Sequence, residues 1–428
     1  MNLFKYLVGT IFLSISAVTV VFAQDNIYYN NIRTVRFHPP GQQMGMPVYN
    51  LNSSGQLSLS FDDMDADVKN YYYTYQLCDV NWQPVPDISQ FDYLTGFTQS
   101  QITTYNYSYL TTTSYTHYQI SLPEASMLPT RSGNFLLKVY LDGDTSKLVF
   151  TRRMLVLDSK TTTSPTIMQP FGAQFKTGQR LKFTVNIGSI NSFNTSQEIK
   201  VVVLQNYRWD DAMSGIPPTF IRGNNLEYNS DDIFVFPGGR EWRWLDMRSF
   251  SLHSDRVKSV NYKKNGNTDV YLVKDGDRSN QPYVYYSDYN GLYIVSTLDN
   301  TSVGTQADYA TVHFSYATPN LQPYPDQDIY LYGQLTNYRF TDSTKLVYNP
   351  DKNEYEINKL LKQGYYNYNY VLVDKKDPTK KTDVDGNFFE TENEYTILVY
   401  YKSFTDRTDQ LIGCTEFDSR NVQNSIGN

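Results

Sequence analysis

An alternation of polar and apolar residues with a period of two decides the fold class of this chain. Gln56–Phe61 reads polar, apolar, polar, apolar without a break. A period of two is typical of β-strands with one buried face, because successive side chains point to opposite sides of a strand. Between such runs stand dipeptides that tolerate the positive φ angles of hairpin turns: Asp142-Gly143, Asn265-Gly266, Asp275-Gly276, Asn290-Gly291 and Asp385-Gly386. The sequence therefore predicts an all-β protein.

The apolar runs give the individual strand candidates. The chain has 39 Tyr among 428 residues, and Tyr fits a pleated, half-buried surface as Val, Thr and Phe do. The best helical candidate, Glu354–Lys362, is too short to change the class. The strand candidates are Phe135–Leu141, Val149–Leu157, Ile199–Leu204, Val270–Val273, Tyr283–Tyr286 and Tyr395–Tyr401.

Two polar linkers suggest how the chain divides into domains. Ser159–Pro165 is rich in Thr and ends on Pro, and a second polar stretch lies at Asp299–Ser302. They predict three consecutive β-sandwich domains of immunoglobulin-like type, at residues 24–158, 159–301 and 302–428. Each segment has a length typical of a single sandwich.

Residues 1–23 have the pattern of a secretory signal peptide. Lys5 supplies the positive charge, Tyr6–Phe22 is apolar, and cleavage is expected between Ala23 and Gln24. The alternatives are an uncleaved membrane anchor and, for the strands, an outer-membrane barrel. The long polar stretch Tyr207–Asp231 argues against a barrel. We therefore expect an exported protein that does not itself insert into a membrane.

Composition and motifs argue against several chemistries. A net charge of −7 disfavours nucleic-acid binding, which needs basic groups against phosphates. The four histidines, His38, His117, His253 and His313, are never at metal-ligand spacing, and no GxSxG, P-loop or GxGxxG occurs. We expect no cofactor, no small-molecule substrate and no enzymatic activity. Remote carboxylate pairs for glycoside hydrolysis stay open as an alternative.

Acidic segments and cysteines give two further expectations. Asp62–Asp67 and Asp383–Asn387 space carboxylates as calcium loops do, but both lack the EF-hand pattern, so we favour solvated turns and no metal. Cys78 and Cys414 are expected as two buried thiols, with a disulfide as the alternative.

Tyrosine stripes carry two interpretations. Alternation exposes one face of each stripe, where Tyr could stack on a sugar or a partner protein, although pairing within the sheet is commoner. The stripes are Tyr71–Tyr75, Tyr105–Tyr109, Tyr283–Tyr289 and Tyr365–Tyr370.

Segments spread over the chain resemble the plug protein family of the bacterial type IX secretion system. They include Ile32–Phe37, Tyr71–Trp82, Phe91–Phe97, Phe236–Ser249, Asp328–Tyr338 and Gly364–Tyr368. Arg240 and Trp242 stand where the family leads us to expect Asn and Phe. The last domain also resembles early-set immunoglobulin-like modules that bind glucans, but Tyr338 stands where those usually hold Trp.

The resemblance implies a periplasmic, non-enzymatic protein associated with the inner face of the outer membrane through a partner. That partner would be the large translocon β-barrel, whose periplasmic opening the protein would block against leakage when no substrate passes. The alternative is an exported glycan-binding β-sandwich protein. Arg240, Trp242, Arg243 and Trp244 are the candidate partner-binding residues, since exposed Arg and Trp make good anchors. Arg/aromatic pairing inside the domain is the alternative for these four.

Overall fold

The computed structural model describes residues 25–263 and 266–420, and β-strands dominate them. The all-β prediction is confirmed. The helical elements of these residues are α1 (Thr195–Glu198), α2 (Val303–Gln306) and three single 3₁₀ turns, and Ser419 and Arg420 are also helical. Within these residues no helix is long and apolar enough to span a membrane. The predicted signal peptide and its cleavage between Ala23 and Gln24 lie outside the described residues.

The first twelve strands build one sandwich and a separate two-stranded sheet. One sheet has the order β1-β12-β11-β5-β7 with β3 beside β12, and the other has the order β2-β4-β9-β8. Aromatic and aliphatic residues such as Phe61, Tyr73 and Phe150 fill the space between them. The strands are β1 (Asn26–Ile27), β2 (Ile32–His38), β3 (Val48–Asn50), β4 (Leu57–Asp63), β5 (Tyr71–Cys78), β6 (Leu94–Gly96), β7 (Ser100–Ile102), β8 (Tyr105–Tyr107), β9 (Thr116–Leu122), β10 (Met127–Pro129), β11 (Gly133–Leu141) and β12 (Leu148–Leu157).

The next strands begin a second sandwich that they do not complete. Its first sheet has the order β13-β14-β18-β17, with β19 beside β14. The strands are β13 (Thr162–Met168), β14 (Gly178–Asn186), β15 (Ile199–Gln205), β16 (Met213–Ser214), β17 (Phe220–Arg222), β18 (Asn225–Tyr228) and β19 (Val235–Pro237).

A third sandwich follows, made of residues from both sides of the predicted boundary at 301. Its sheets have the orders β20-β29-β24, with β26 and β30 also beside β29, and β21-β22-β25-β28-β27, with β23 beside β25. The strands are β20 (Arg243–Asp246), β21 (Val257–Tyr262), β22 (Thr268–Leu272), β23 (Asp275–Gly276), β24 (Tyr293–Val295), β25 (Tyr309–Ala317), β26 (Gln327–Tyr332), β27 (Val347–Asn349), β28 (Glu354–Lys362), β29 (Gly364–Asp374) and β30 (Lys381–Asp383).

The chain then returns to the second sandwich. β31 (Glu394–Tyr401) and β32 (Gln410–Asp418) form its second sheet with β15 and β16, and Ile199 lies opposite Tyr401 in the ladder. The third sandwich is therefore inserted between β19 and β31 of the second. Residue 301 does not separate two sandwiches, since strands from both sides of it share the same sheets. A polar linker indicates a loop, but it does not indicate which sandwich the following strand joins.

Two predicted elements are wrong. Tyr283–Tyr286, a strand candidate, is not part of any strand. Glu354–Lys362, the helical candidate, is strand β28 and pairs with β25 from Tyr355 to Lys362. Its helix-favouring Glu, Leu and Lys residues carry weak preferences, which pairing with a neighbouring strand overrides.

The first and second sandwiches pack through an apolar junction. Alternate residues of β15 face opposite sides, so Val201 lies in the core of the second sandwich while Val202 faces the first. Leu136 and Leu398 lie in the same junction cluster, and the Tyr400 hydroxyl donates to Asn134 Oδ1 across 2.8 Å. Hydrophobic burial therefore holds these two units together.

Candidate partner-binding site

Arg240 and Trp242, two of the four predicted partner contacts, lie inside the protein. Only 6% of Arg240 and 7% of Trp242 is exposed. Arg240 donates to the carbonyl oxygens of Gln281 (3.2 Å) and Pro282 (2.6 Å). The Trp242 indole stacks against the ring of Tyr332 at 6.1 Å. Both side chains therefore make contacts within the third sandwich: Arg240 binds the loop that contains Gln281 and Pro282, and Trp242 packs against β26.

Arg243 is buried as well, and Trp244 is half-buried. Arg243 pairs with Asp275 at 2.8 Å and with Asp385 at 2.5 Å. The indole N–H of Trp244 donates to Asp255 at 3.3 Å. Contact of these four residues with a partner stays a prediction, and Trp244 is the most accessible of them. The expectation of a solvated turn at Asp383–Asn387 is wrong for Asp385, which is fully buried.

The other acidic segment is neutralised from within. Asp63, Asp65 and Asp67 converge, and the Lys69 ammonium lies 2.6, 2.8 and 2.7 Å from their carboxylates. A lysine thus stands where a calcium ion would need to bind. The expectation of a solvated turn is wrong for Asp62 and Asp63, which are buried, whereas Asp65 and Asp67 are exposed.

Two histidines meet carboxylates that are remote in sequence. His117 Nδ1 lies 2.6 Å from Asp62, and His313 Nε2 lies 2.7 Å from Asp269. The Asp62 carboxylate also binds a lysine, Lys362, at 2.6 Å. The local spacing that we searched in the sequence could not reveal these pairs, and the extra lysine makes the first of them part of an ion-pair network.

The buried tyrosines of the stripes belong to Tyr71–Tyr75 and Tyr365–Tyr370, and they fill sandwich cores. Tyr73 and Tyr370 are completely buried, which agrees with sheet packing. The stripe on and beside β8 is different, because Tyr105, Tyr107 and Tyr109 are all exposed. The two cysteines are free thiols, with Cys78 buried and Cys414 partly buried, as expected.

The most exposed aromatic residues of the described chain lie at one end of the second sandwich. Phe193 is 100% exposed and Phe404 is 95% exposed. Phe193 lies in the loop before α1, and Phe404 lies in the loop from β31 to β32. Because β15 and β31 are paired, with Ile199 opposite Tyr401, both loops leave the same end of the sheet. We call Phe193 and Phe404 the phenylalanine tip.

Glu198 ties the two loops of the tip together. Its carboxylate accepts the hydroxyl of Ser192 at 2.5 Å and the backbone N–H of Phe193 at 3.0 Å. Its backbone carbonyl accepts the N–H of Lys402 at 2.8 Å. The Ser192 hydrogen bond, with help from the backbone N–H groups of residues 194, 193 and 404, lowers the pKa of Glu198. An ionised carboxylate therefore fixes both loops at neutral pH.

The same end of the molecule is also attached to the first sandwich. Arg131 pairs with Asp406 at 2.9 Å, and Arg407 donates to the Asp87 carbonyl oxygen at 3.2 Å. The tip therefore has a fixed direction relative to the rest of the protein. Two fully exposed phenylalanines on restrained loops are suited to insertion into an apolar pocket of a partner. Sequence analysis missed them, although each is a lone apolar residue in a polar loop between strand candidates.

Comparisons with known proteins agree with the resemblance. No curated protein matches the chain. A crystal structure of a hypothetical protein from Parabacteroides merdae ATCC 43184 has a similar fold, with a TM-score of 0.88 and 28% sequence identity. The match covers 93% of this chain and 100% of that one. Residues 32–158, which hold nearly all of the first sandwich, match the family described as type 9 secretion system plug protein, first domain. Over these residues the chain is similar to the plug protein family of the type 9 secretion system.

Proposed function

We propose that the protein is a periplasmic plug that binds the periplasmic opening of the type IX secretion translocon barrel. By occupying that opening it prevents leakage across the outer membrane when no substrate is exported. The family match over residues 32–158 is the observation that carries this proposal. The proposed role is non-enzymatic and needs surface and stiffness instead of reactive groups.

The construction of the molecule suits a stopper. The insertion of the third sandwich into the second attaches the two by chain connections at both ends. The apolar junction fixes the second sandwich to the first. Polar contacts join the first sandwich to the third, including the Thr112 hydroxyl, which donates to Asp308 at 2.6 Å. Every sandwich thus contacts both others, which limits relative motion under load.

We further propose that the phenylalanine tip is a contact with the barrel. A specific interface normally buries at least about 1,000 Å² in total. An aromatic side chain buries roughly 150–250 Å², so two of them supply a substantial share of one partner's half. Restrained loops reduce the ordering entropy that binding would otherwise cost.

Affinity purification from detergent-solubilised outer membranes tests both statements. The bait proteins are the wild type, the tip variant Phe193→Ser/Phe404→Ser, and the control Phe171→Ser/Phe175→Ser. The control removes two other exposed phenylalanines of the same sandwich. We expect the barrel to co-purify with the wild type and the control, and at least about tenfold less with the tip variant, since interface anchors contribute about 2 kcal/mol or more.

The outcomes separate the two statements. Failure of the wild type to retain any large barrel would refute the plug proposal itself. Retention of the barrel by the tip variant would leave the plug proposal standing and reject the tip as its contact. A second test is deletion of the protein in cells, which should let large solutes cross an outer membrane that normally excludes them.

A glycan-binding protein remains the second candidate, because Tyr105, Tyr107 and Tyr109 form an exposed row. The row could stack against sugar rings. Tyr338, at the position where glucan-binding modules hold Trp, does not provide such a platform, since it packs against Trp242 and Tyr332. Retention on an immobilised polysaccharide that Tyr107→Ala abolishes would favour this candidate over the plug.

A further inference from the structure

A cavity of about 230 Å³ lies where the three sandwiches meet. β2 and β12 supply its wall from the first sandwich, residues 207–210 from the second, and residues 292–293 and 334–339 from the third. Four arginines line it, and we call it the arginine crevice. They are Arg36, Arg152, Arg153 and Arg339.

Arg36 is buried without an acidic partner. It is 6% exposed, and none of the described carboxylates lies within ion-pair distance of its guanidinium. Arg36 donates to Gln334 Oε1 at 2.9 Å and to the carbonyl oxygen of Gln43, and its guanidinium lies 4.2 Å from the centroid of the Tyr293 ring. Its Nε–H is buried and has no hydrogen-bond partner. One donor of a buried charged group is therefore unused.

Arg152 is in the same situation on β12. It is 8% exposed, and it donates only to backbone carbonyl oxygens, those of Thr151 at 2.8 Å, Val35 at 3.3 Å and Asn26 at 3.5 Å. No carboxylate of the described residues pairs with it. Burial lowers the pKa of Arg152, and Arg36 nearby adds to that effect although Asp25 opposes it.

The two acids of the crevice are bound to other groups. Asp25 accepts the backbone N–H of Arg153 at 2.7 Å and pairs with its guanidinium at 3.3 Å. Asp210 accepts the hydroxyl of Tyr332 at 2.5 Å and pairs with Arg208 at 3.4 Å. Asp25 therefore pairs with Arg153 and Asp210 with Arg208, so neither acid of the crevice pairs with Arg36 or Arg152.

Burying a charge without a counterion is energetically costly, so proteins rarely keep one unless something pairs with it. We propose that the arginine crevice binds a small oxyanion, a carboxylate or a phosphate, between Arg36 and Arg152. The planar guanidinium matches both groups because it offers parallel N–H donors. The small volume limits the ligand to a few non-hydrogen atoms beyond the oxyanion. This site is separate from the phenylalanine tip and independent of the plug proposal.

Binding at this place should also stabilise the whole assembly. The crevice wall includes Trp209 of the second sandwich and Tyr293 of the third, beside the arginines of the first. A ligand that contacts all three sandwiches binds the folded state and not the unfolded one, so it raises the unfolding temperature.

Calorimetric titration and thermal unfolding of the full chain test the proposal. The probes are succinate and inorganic phosphate, each at constant ionic strength balanced with chloride. We expect saturable binding of at least one probe and a rise of about 2 °C or more in the unfolding midpoint at saturation. Succinate alone, phosphate alone or both would support the site and identify its oxyanion; saturable binding of neither would overturn it.

Variants locate the binding to the crevice. Arg36→Gln and Arg152→Gln should each weaken binding by at least about tenfold, since each removes a charged hydrogen bond. The control is Arg222→Gln, because the Arg222 side chain is 71% exposed and lies on another sandwich. Unchanged affinity in both crevice variants would overturn the proposal.

A measurement on the wild type covers the case in which the variants do not fold. Crystals grown with selenate, an oxyanion with a strong anomalous signal, should show a peak between the guanidinium groups of Arg36 and Arg152. Anomalous peaks only elsewhere, or none, would overturn the assignment.

Discussion

Replacing Asp62 with Asn should loosen the junction between the first and third sandwiches. Asp62 lies on β4 and is almost completely buried. Its carboxylate accepts the Lys362 ammonium and the Tyr309 hydroxyl, each at 2.6 Å, and lies 2.6 Å from His117 Nδ1. Lys362 and Tyr309 belong to the third sandwich. Asp62→Asn keeps the shape of the side chain and removes its charge.

The size of the stability loss depends on the contacts that Lys362 keeps when Asp62 is replaced. The Lys362 side chain is 1% exposed, so water cannot replace the lost carboxylate. Its ammonium keeps the Gly304 carbonyl oxygen at 2.9 Å and the face of the Tyr115 ring at 4.1 Å. Removing one partner of a buried ion pair costs about 3–5 kcal/mol, and we expect Asp62→Asn to fall in that range.

Urea unfolding followed by tryptophan fluorescence measures the change, using the free energy of the first transition. Lys362→Met and the double variant Asp62→Asn/Lys362→Met complete the cycle. The double variant should be less destabilised than the sum of the single variants by about 1 kcal/mol or more, because the second change removes the unpaired charge. Lys352→Met is the control: its pair with Glu356 is exposed and should contribute less than about 1 kcal/mol.

Two results would refute this reasoning. One is a loss of less than about 1 kcal/mol for Asp62→Asn, comparable to an exposed pair. The other is strict additivity in the double variant.

The pH dependence of stability gives a further check. Burial acts to raise the pKa of Asp62, but Lys362 and His117 bring it below its ordinary value of 3.8. The contribution of Asp62 is therefore full above that value and is lost as the pH falls through the lower, folded-state pKa.

Three further outcomes are expected. Burial and the neighbouring Asp385 carboxylate raise the pKa of Asp383 from 3.8 to about 7, so stability should fall as pH rises between those values. Asp383→Asn should flatten that slope in thermal midpoints measured from pH 4 to 8, and an unchanged slope would contradict it. Calcium or EDTA should leave the wild-type midpoint within about 1 °C, whereas Lys69→Met should gain a calcium response. Burial raises the pKa of Cys78 and Cys414 to about 12, so a thiol reagent should modify them only on unfolding; rapid labelling of the native protein would argue against the burial.

The fold class could be predicted because it depends on local pattern. The alternation at Gln56–Phe61 contains most of β4, and the Tyr395–Tyr401 candidate is β31 almost residue for residue. Which strands pair is a different question. β31 pairs with β15, almost 200 residues earlier, and the segments between them are just as strand-like. No local pattern distinguishes a strand that continues the current sandwich from one that returns to an earlier one.

The candidate contacts show the same limit at the level of side chains. Arg240, Trp242 and Arg243 have the composition of an interface anchor, but Arg and Trp also serve to fix loops inside a domain. The deciding facts are tertiary, such as the position of Asp385 beside Arg243. Phe193 could not be recognised from the sequence, because an isolated Phe in a polar loop is common. Only the hydrogen bonds of Glu198 to two loops place Phe193 at the same end of the sheet as a second exposed phenylalanine.

The two junctions of the first sandwich differ in kind. Leucine and valine side chains hold the first sandwich to the second, whereas Asp62, Thr112 and Arg36 contact the third. The attraction within a buried ion pair depends on the exclusion of water, because water raises the local dielectric constant. We therefore expect the polar junction to depend on pH and on the pairing of its charges more than the apolar junction does. Because the arginine crevice lies where the three sandwiches meet, an oxyanion bound there would add a charge partner beside the polar junction.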